Sequence, residues 1–166
     1  MKQLQQVCDR VGYTGYITVF DGYDLTILQV IRGKNPLAIT RIPAYKTIAY
    51  STSNGRAMLS MLSEEEWKKR IPDPMPYISP RTPSNHEELS QALEKIRQTG
   101  RSFATEESLA GIASVGIAIR DPDTTEIFGA AISFPANLVT EQERETIAEL
   151  MDKMKSNLAG IKGIFE

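Results

Sequence analysis

Small polar residues crowd one short stretch, Tyr50-Ser51-Thr52-Ser53-Asn54-Gly55, just before an apolar run through Ala57, Met58, Leu59, Met61 and Leu62. Ser, Asn and Gly favour helix starts, where the first backbone N–H groups have no intrahelical acceptor. With the positive end of the helix dipole, those donors suit a small anion such as a carboxylate. An ordinary capped helix after a loop explains the same residues, so the stretch alone decides nothing. Two more hydroxyls, Ser114 and Ser133, interrupt apolar runs at Ile112 to Arg120 and Glu126 to Phe134. For either serine alone, the plainer reading is a buried hydroxyl satisfied by backbone. On neighbouring strands near the helix start, and with the polar loop before Gly111, they form a pocket for a small oxygen-rich ligand.

Catalytic chemistry is harder to assemble. His86 is the only histidine and Cys8 the only cysteine, which leaves no ligand set for zinc. His86 stands in the first turn of a predicted helix beside two glutamates, a position that reads as exposed. Gly55 is isolated, so there is no phosphate-cradling glycine motif. Glu106-Glu107 is a candidate carboxylate pair, but adjacent acids ordinarily face different ways as surface charge or local caps. The expectation is a domain with no catalytic residues, no metal and no cofactor.

Composition points the same way. The 166 residues are 41% hydrophobic and 24% charged, which suits a single globular domain over 1–166. A net charge of −2 with scattered Lys and Arg gives no footprint for nucleic acid. One cysteine fits a reducing compartment, and no apolar run approaches a membrane span or a signal peptide. The expected setting is cytoplasmic, without membrane association.

The elements that must position these residues follow from periodicity and punctuation. Residues 2–11 read as a short amphipathic helix ended by Gly12. Gly15 to Phe20 and Leu25 to Arg32 read as strands joined at Asp21-Gly22, with a third strand from Leu37 to Ile42 closed by Pro43. Ser63 with Glu66, Ser84 with Glu87, and Thr140 with Glu143 match capping boxes ahead of three helices. Prolines at 72, 74, 76, 80 and 83 make the stretch from Ile71 to Thr82 irregular and exposed. Ser102 to Ala110 reads as a polar loop or edge segment. Ile112 to Arg120 and Glu126 to Phe134 read as an antiparallel pair, with Pro135-Ala136-Asn137 breaking the second strand. The class is α+β, an antiparallel sheet of about five or six strands with helices on one or both faces.

Four segments carry a resemblance: LTILQVIRG (25–33), YSTSNGRAMLSMLSEEE (50–66), EELSQALEKIRQTGRSFATEESLAGIASVGIAIRD (87–121) and IFGAAISFPANLVTEQE (127–143). In order and spacing the chain resembles the effector-binding domain of the IclR family of bacterial transcription regulators, over nearly its full length. The resemblance implies a GAF-like fold, a twisted antiparallel sheet with helices on both faces and a ligand cavity on one. It implies a small-metabolite ligand, an organic or aromatic acid, and a homodimer or tetramer. It also implies DNA contact only through a winged helix-turn-helix absent from this chain, with residues 1–12 as the end of a linker helix. On that reading the chain is an excised sensor domain or a truncated relative.

Carried over by position, the family's pocket loop falls on Ser53, Asn54 and Gly55, with Thr47 and Ile112 lining the cavity. An acid that some members use falls on Ala104, and the usual cysteine on Ser114. Of two serines on the closing strand, Ser133 is retained and Pro135 replaces the second. Arg56 stands where lysine is usual, and Tyr50 where histidine is usual. A ligand-independent oligomerisation module with a degenerate pocket is the alternative expectation.

Overall fold

The computed structural model describes residues 2–39 and 46–159. Helix α1 (Lys2–Val11) leads into a hairpin of β1 (Thr14–Asp21) and β2 (Asp24–Ile31), turned at Gly22, whose φ of +66° suits glycine. After β3 (Lys46–Ile48) and one 3₁₀ turn (Ala49–Ser51) come three helices: α2 (Ser53–Ser60), α3 (Glu64–Arg70) and α4 (His86–Thr99). Then follow β4 (Ser102–Thr105), the long hairpin of β5 (Ile112–Arg120) and β6 (Ile127–Pro135), and α5 (Glu141–Leu158). The strands form one sheet in the order β3-β2-β1-β6-β5-β4, antiparallel throughout. The two hairpins meet at the β1–β6 seam, which joins the two ends of the chain.

Helices cover both faces, as the α+β, GAF-like expectation holds. Against one face, Leu4, Val7 and Cys8 of α1 and Ile147, Met151 and Met154 of α5 pack on Ile17, Val115, Ile117 and Ile132. The alternate strand residues face the other way, as the pleat requires. There, Met58, Leu59, Trp67, Leu89 and Leu93 of α2, α3 and α4 enclose Leu25, Tyr50 and Ala118. Small residues on this face let α2 lie very close to the sheet. A side chain added at Gly116 would begin 2.3 Å from the Asn54 backbone nitrogen.

Cys8 is 1% exposed and packed against Gly15. Burial first, and then the neighbouring Asp9 charge, pushes its thiol up to about 12. A thiolate is the reactive form, so the native protein should not react with Ellman's reagent at pH 8 and should react fully once unfolded. Stoichiometric colour from the native protein would contradict this burial.

Several sequence expectations shift. Leu37 to Ile39 is turn and loop rather than strand, 40–42 lies outside the described residues, and the third strand is Lys46–Ile48. The cause is local. The Asn35 nitrogen donates to the Gly12 carbonyl and its side chain accepts from Leu37 N, which bends the chain away from β2. The helix expected to start at Ser84–Glu87 is capped one residue later: Asn85 accepts from Glu88 N, and Glu88 returns to Ser84. Ser102–Thr105 is an edge strand. The break expected over Pro135-Ala136-Asn137 is there, with Pro135 itself the last residue of β6, paired opposite Ile112. The proline-rich stretch is irregular but not wholly exposed. Ile71 and Met75 are buried, and the Tyr50 hydroxyl donates to the Pro76 carbonyl at 2.6 Å.

Candidate functional site

The start of α2 is set by Thr52, whose hydroxyl accepts from Gly55 N at 3.2 Å as an N-cap. Gly55 is needed for approach, because a side chain there would begin 2.0 Å from the Ala49 carbonyl oxygen. Beyond the helix start, strands β1, β6 and β5 carry three polar cross-strand rows toward α2. Thr18 lies opposite Gly129, Tyr16 opposite Ala131, and Ser133 opposite Ser114, with Ala104 next in line on β4. Between these rows, the start of α2 and the loop after β4 is a cavity of about 240 Å³.

Six of the nine expected site residues line that cavity: Thr47, Asn54, Ala104, Ile112, Ser114 and Ser133. Ser53 is fully buried and reaches it only through Ser114, the two hydroxyls lying 2.7 Å apart. Gly55 is turned away, its N–H taken by Thr52. Pro135 sits opposite Ile112 but outside the lining.

Sequence reasoning misses Tyr16 and Thr18 of β1, Ile27 of β2, and Glu107, Ser108 and Leu109 of the loop after β4, although the loop itself is expected at the pocket. Tyr16 and Thr18 alternate with apolar residues, a pattern that marks a strand but not which of its polar residues face a pocket.

Hydrogen bonding fixes most of this wall. Asn54 Nδ2 donates to Thr18 Oγ1 at 2.8 Å, and Thr18 donates in turn to the Gly129 carbonyl at 3.5 Å. Tyr16 is 6% exposed, and burial raises its phenol above the usual tyrosine value. The loop wall is held by Arg56, whose guanidinium grips both Glu107 oxygens and donates to the Phe103 carbonyl at 2.6 Å. Thr82 adds a bond to the Glu107 carbonyl at 2.6 Å. The neighbouring Glu106 faces elsewhere, accepting from Gly111 N at 2.9 Å and pairing with Arg81. The result is a preformed pocket with a hydroxyl-rich floor and apolar walls from Ile27, Ile39, Leu109 and Ile112.

His86, expected to be exposed, is half-buried. Its Nε2 bonds the Ile71 carbonyl at 3.0 Å, and its ring meets Trp67 edge-on, so it fastens α4 to α3. Among the described residues, no group of His, Cys, Asp and Glu could hold a metal ion. No helix among them is long and apolar enough to cross a membrane.

A six-stranded antiparallel sheet with helices on both sides and a cavity on one face defines an α+β domain of the GAF-like class. The family model for the bacterial transcriptional regulator IclR C-terminal region matches residues 1–159, and the chain belongs to that family. It is 24% identical over 138 residues to the probable transcriptional regulator SauR of Cupriavidus necator, covering 82% of this chain and 55% of that protein. It is 23% identical over 153 residues to the HTH-type regulator XynR of Escherichia coli, covering 90% and 60%. The chain thus spans little more than half the length of these regulators. Both relatives are transcriptional regulators, SauR a probable one.

Among solved structures, the Thermotoga maritima IclR superposes with a TM-score of 0.84 at 27% identity, covering 95% of this chain and 64% of that one. The inducer-binding domain of the Acinetobacter PobR transcription factor, a double mutant in complex with 3-hydroxybenzoic acid, superposes with a TM-score of 0.77 at 21% identity. That match covers 95% of this chain and 93% of the PobR domain.

Proposed function

We propose that residues 1–166 are a single effector-binding and oligomerisation domain of a cytoplasmic IclR-type regulator, with residues 1–12 as the end of a linker helix. It acts as a homodimer or tetramer and reaches DNA through a winged helix-turn-helix elsewhere in the regulator. The effector is a small organic or aromatic acid. Its carboxylate lies at the start of α2, near the N–H groups of Ser53 and Asn54, with Ser114 and Ser133 beside it. The observation that carries this reading is the open cavity at that helix start, floored by hydroxyls. Thr47, Ala104 and Ile112 complete the lining, and Gly55 lets the helix start lie where it does; Pro135 has no part in ligand contact. The open volume weighs against a degenerate pocket filled by its own side chains.

The test is a thermal-shift screen against organic acids, sugar acids and aromatic carboxylates. A ligand at a hundredfold its Kd adds about 2.7 kcal/mol, which raises the melting temperature by roughly 5–10 °C in a domain of this size. Ser133→Phe, which fills the floor, should abolish the rise. A flat screen on a well-folded dimer would move the reading to the ligand-independent oligomerisation module.

A further inference from the structure

Among the described residues that line the cavity, Glu107 alone carries a charge, and no lysine, arginine or histidine joins it. The other polar side chains there are hydroxyls and the Asn54 amide. Glu107 also lines a neighbouring groove of about 700 Å³, together with Lys95, Ile96 and Phe103. Arg56 lines that groove but not the cavity. The Glu107 carboxylate thus stands between Arg56 and the cavity, and the ion pair turns its anionic end toward a ligand. Arg56 is fixed on its own side. Its Nη1 donates to the Tyr50 carbonyl at 3.3 Å as well as to Glu107. Its Nη2 donates to the Phe103 carbonyl at 2.6 Å and to Glu107 at 2.9 Å. A guanidinium committed in this way does not swing into the cavity to meet an anion. The remaining source of positive potential is the start of α2, worth about half a charge, which suits one carboxylate. A second carboxylate would leave water to meet a like charge and no cation, and that repulsion is far stronger in a dry cavity than in solvent.

We propose that Glu107 sets the charge of the effector: the pocket takes a monocarboxylate whose other polar groups are neutral, and it rejects dicarboxylic acids. This assignment rests on the sensor reading above and narrows it from organic acids at large to acids with a single carboxylate. A repulsive group built into a site is a direct route to specificity, since it weakens the wrong ligand without having to strengthen the right one. The same carboxylate favours a neutral donor. Arg56 takes one acceptor position on each Glu107 oxygen, and the positions left over can accept from a ligand hydroxyl or amide.

The test uses probe pairs that hold shape nearly constant and change one charge: succinamate against succinate, and terephthalamate against terephthalate. Binding is measured by calorimetry near neutral pH, where every carboxyl of the probes is ionised. In at least one pair, wild type should bind the monoamide about tenfold more tightly than the diacid. Glu107→Gln keeps the length of the side chain and leaves Arg56 as the unopposed charge, so there the preference should vanish or reverse. It should also vanish when both charges are removed together, by Arg56→Met with Glu107→Leu. Each ratio is taken within one protein, so a general loss of stability cancels, and the double variant answers the question should Glu107→Gln not fold. A diacid that binds wild type as tightly as its monoamide, or a preference that survives in the variants, would overturn the Glu107 assignment and leave the sensor reading intact. Failure of monoamides and diacids alike to bind wild type would count against the acid-sensing reading and the Glu107 assignment together.

Discussion

Arg56→Met is expected to lower the melting temperature by roughly 10 °C, because truncating one member of a buried ion pair costs about 3–5 kcal/mol in a domain of this size. The side chains of Arg56 and Glu107 are only 5% and 13% exposed, so solvent screening relieves little of that cost. The guanidinium meets both Glu107 oxygens and also donates to the carbonyls of Tyr50 and Phe103. One side chain thus holds the start of α2, strand β4 and the loop wall of the cavity. Glu107→Leu should be similarly harmful, since it strands the cation. The double variant should recover most of the loss, because two apolar groups of similar size need no partners. Thermal unfolding of the three proteins decides the matter. If the double variant is no more stable than Arg56→Met, the loss comes from the carbonyl bonds and not from an uncompensated charge.

That pair also shows where the sequence stops being legible. Arg56 and Glu107 are separated by 51 positions, and no local pattern announces their meeting. The two long hairpins and the caps at Ser63 and Thr140 are local, and they read directly from turn residues and capping boxes. Strand β3 is not local. Its three residues carry no alternation of their own and are strand only because β2 offers an edge.

The site divides the same way. Ser114 and Ser133 stand out because serine is unusual in an apolar strand. Tyr16 and Thr18 do not stand out, because tyrosine and threonine are ordinary strand formers. Their polar ends become informative only once the register places them beside Asn54. The helix start was readable, but not that Ser53 would be tied to Ser114 or that Gly55 would serve close packing rather than ligand contact.

Gly116→Ala should be the most damaging one-carbon change in the sheet, although alanine is ordinarily the better residue in a strand interior by about 0.5–1 kcal/mol. The added methyl would begin 2.3 Å from Asn54 N and 2.4 Å from Ser53 C, both backbone atoms at the start of α2. No rotamer relieves such a contact, so the helix must lift from the sheet. Overpacking of this kind costs about 1–3 kcal/mol, or a fall of roughly 3–10 °C in melting temperature. Lifting α2 also pulls Asn54 from Thr18 and Ser53 from Ser114, so ligand-induced stabilisation should vanish in this variant even where it stays folded.

Gly129→Ala is the control. Its methyl would begin 2.6 Å from the Met58 sulfur, the flexible part of a long side chain, and 2.7 Å from the Thr18 hydroxyl. Methionine can move where backbone cannot, so this change should cost less and retain part of the ligand response. If Gly129→Ala proves the more destabilising of the two, then the close seat of α2 on β5 is not what positions the pocket.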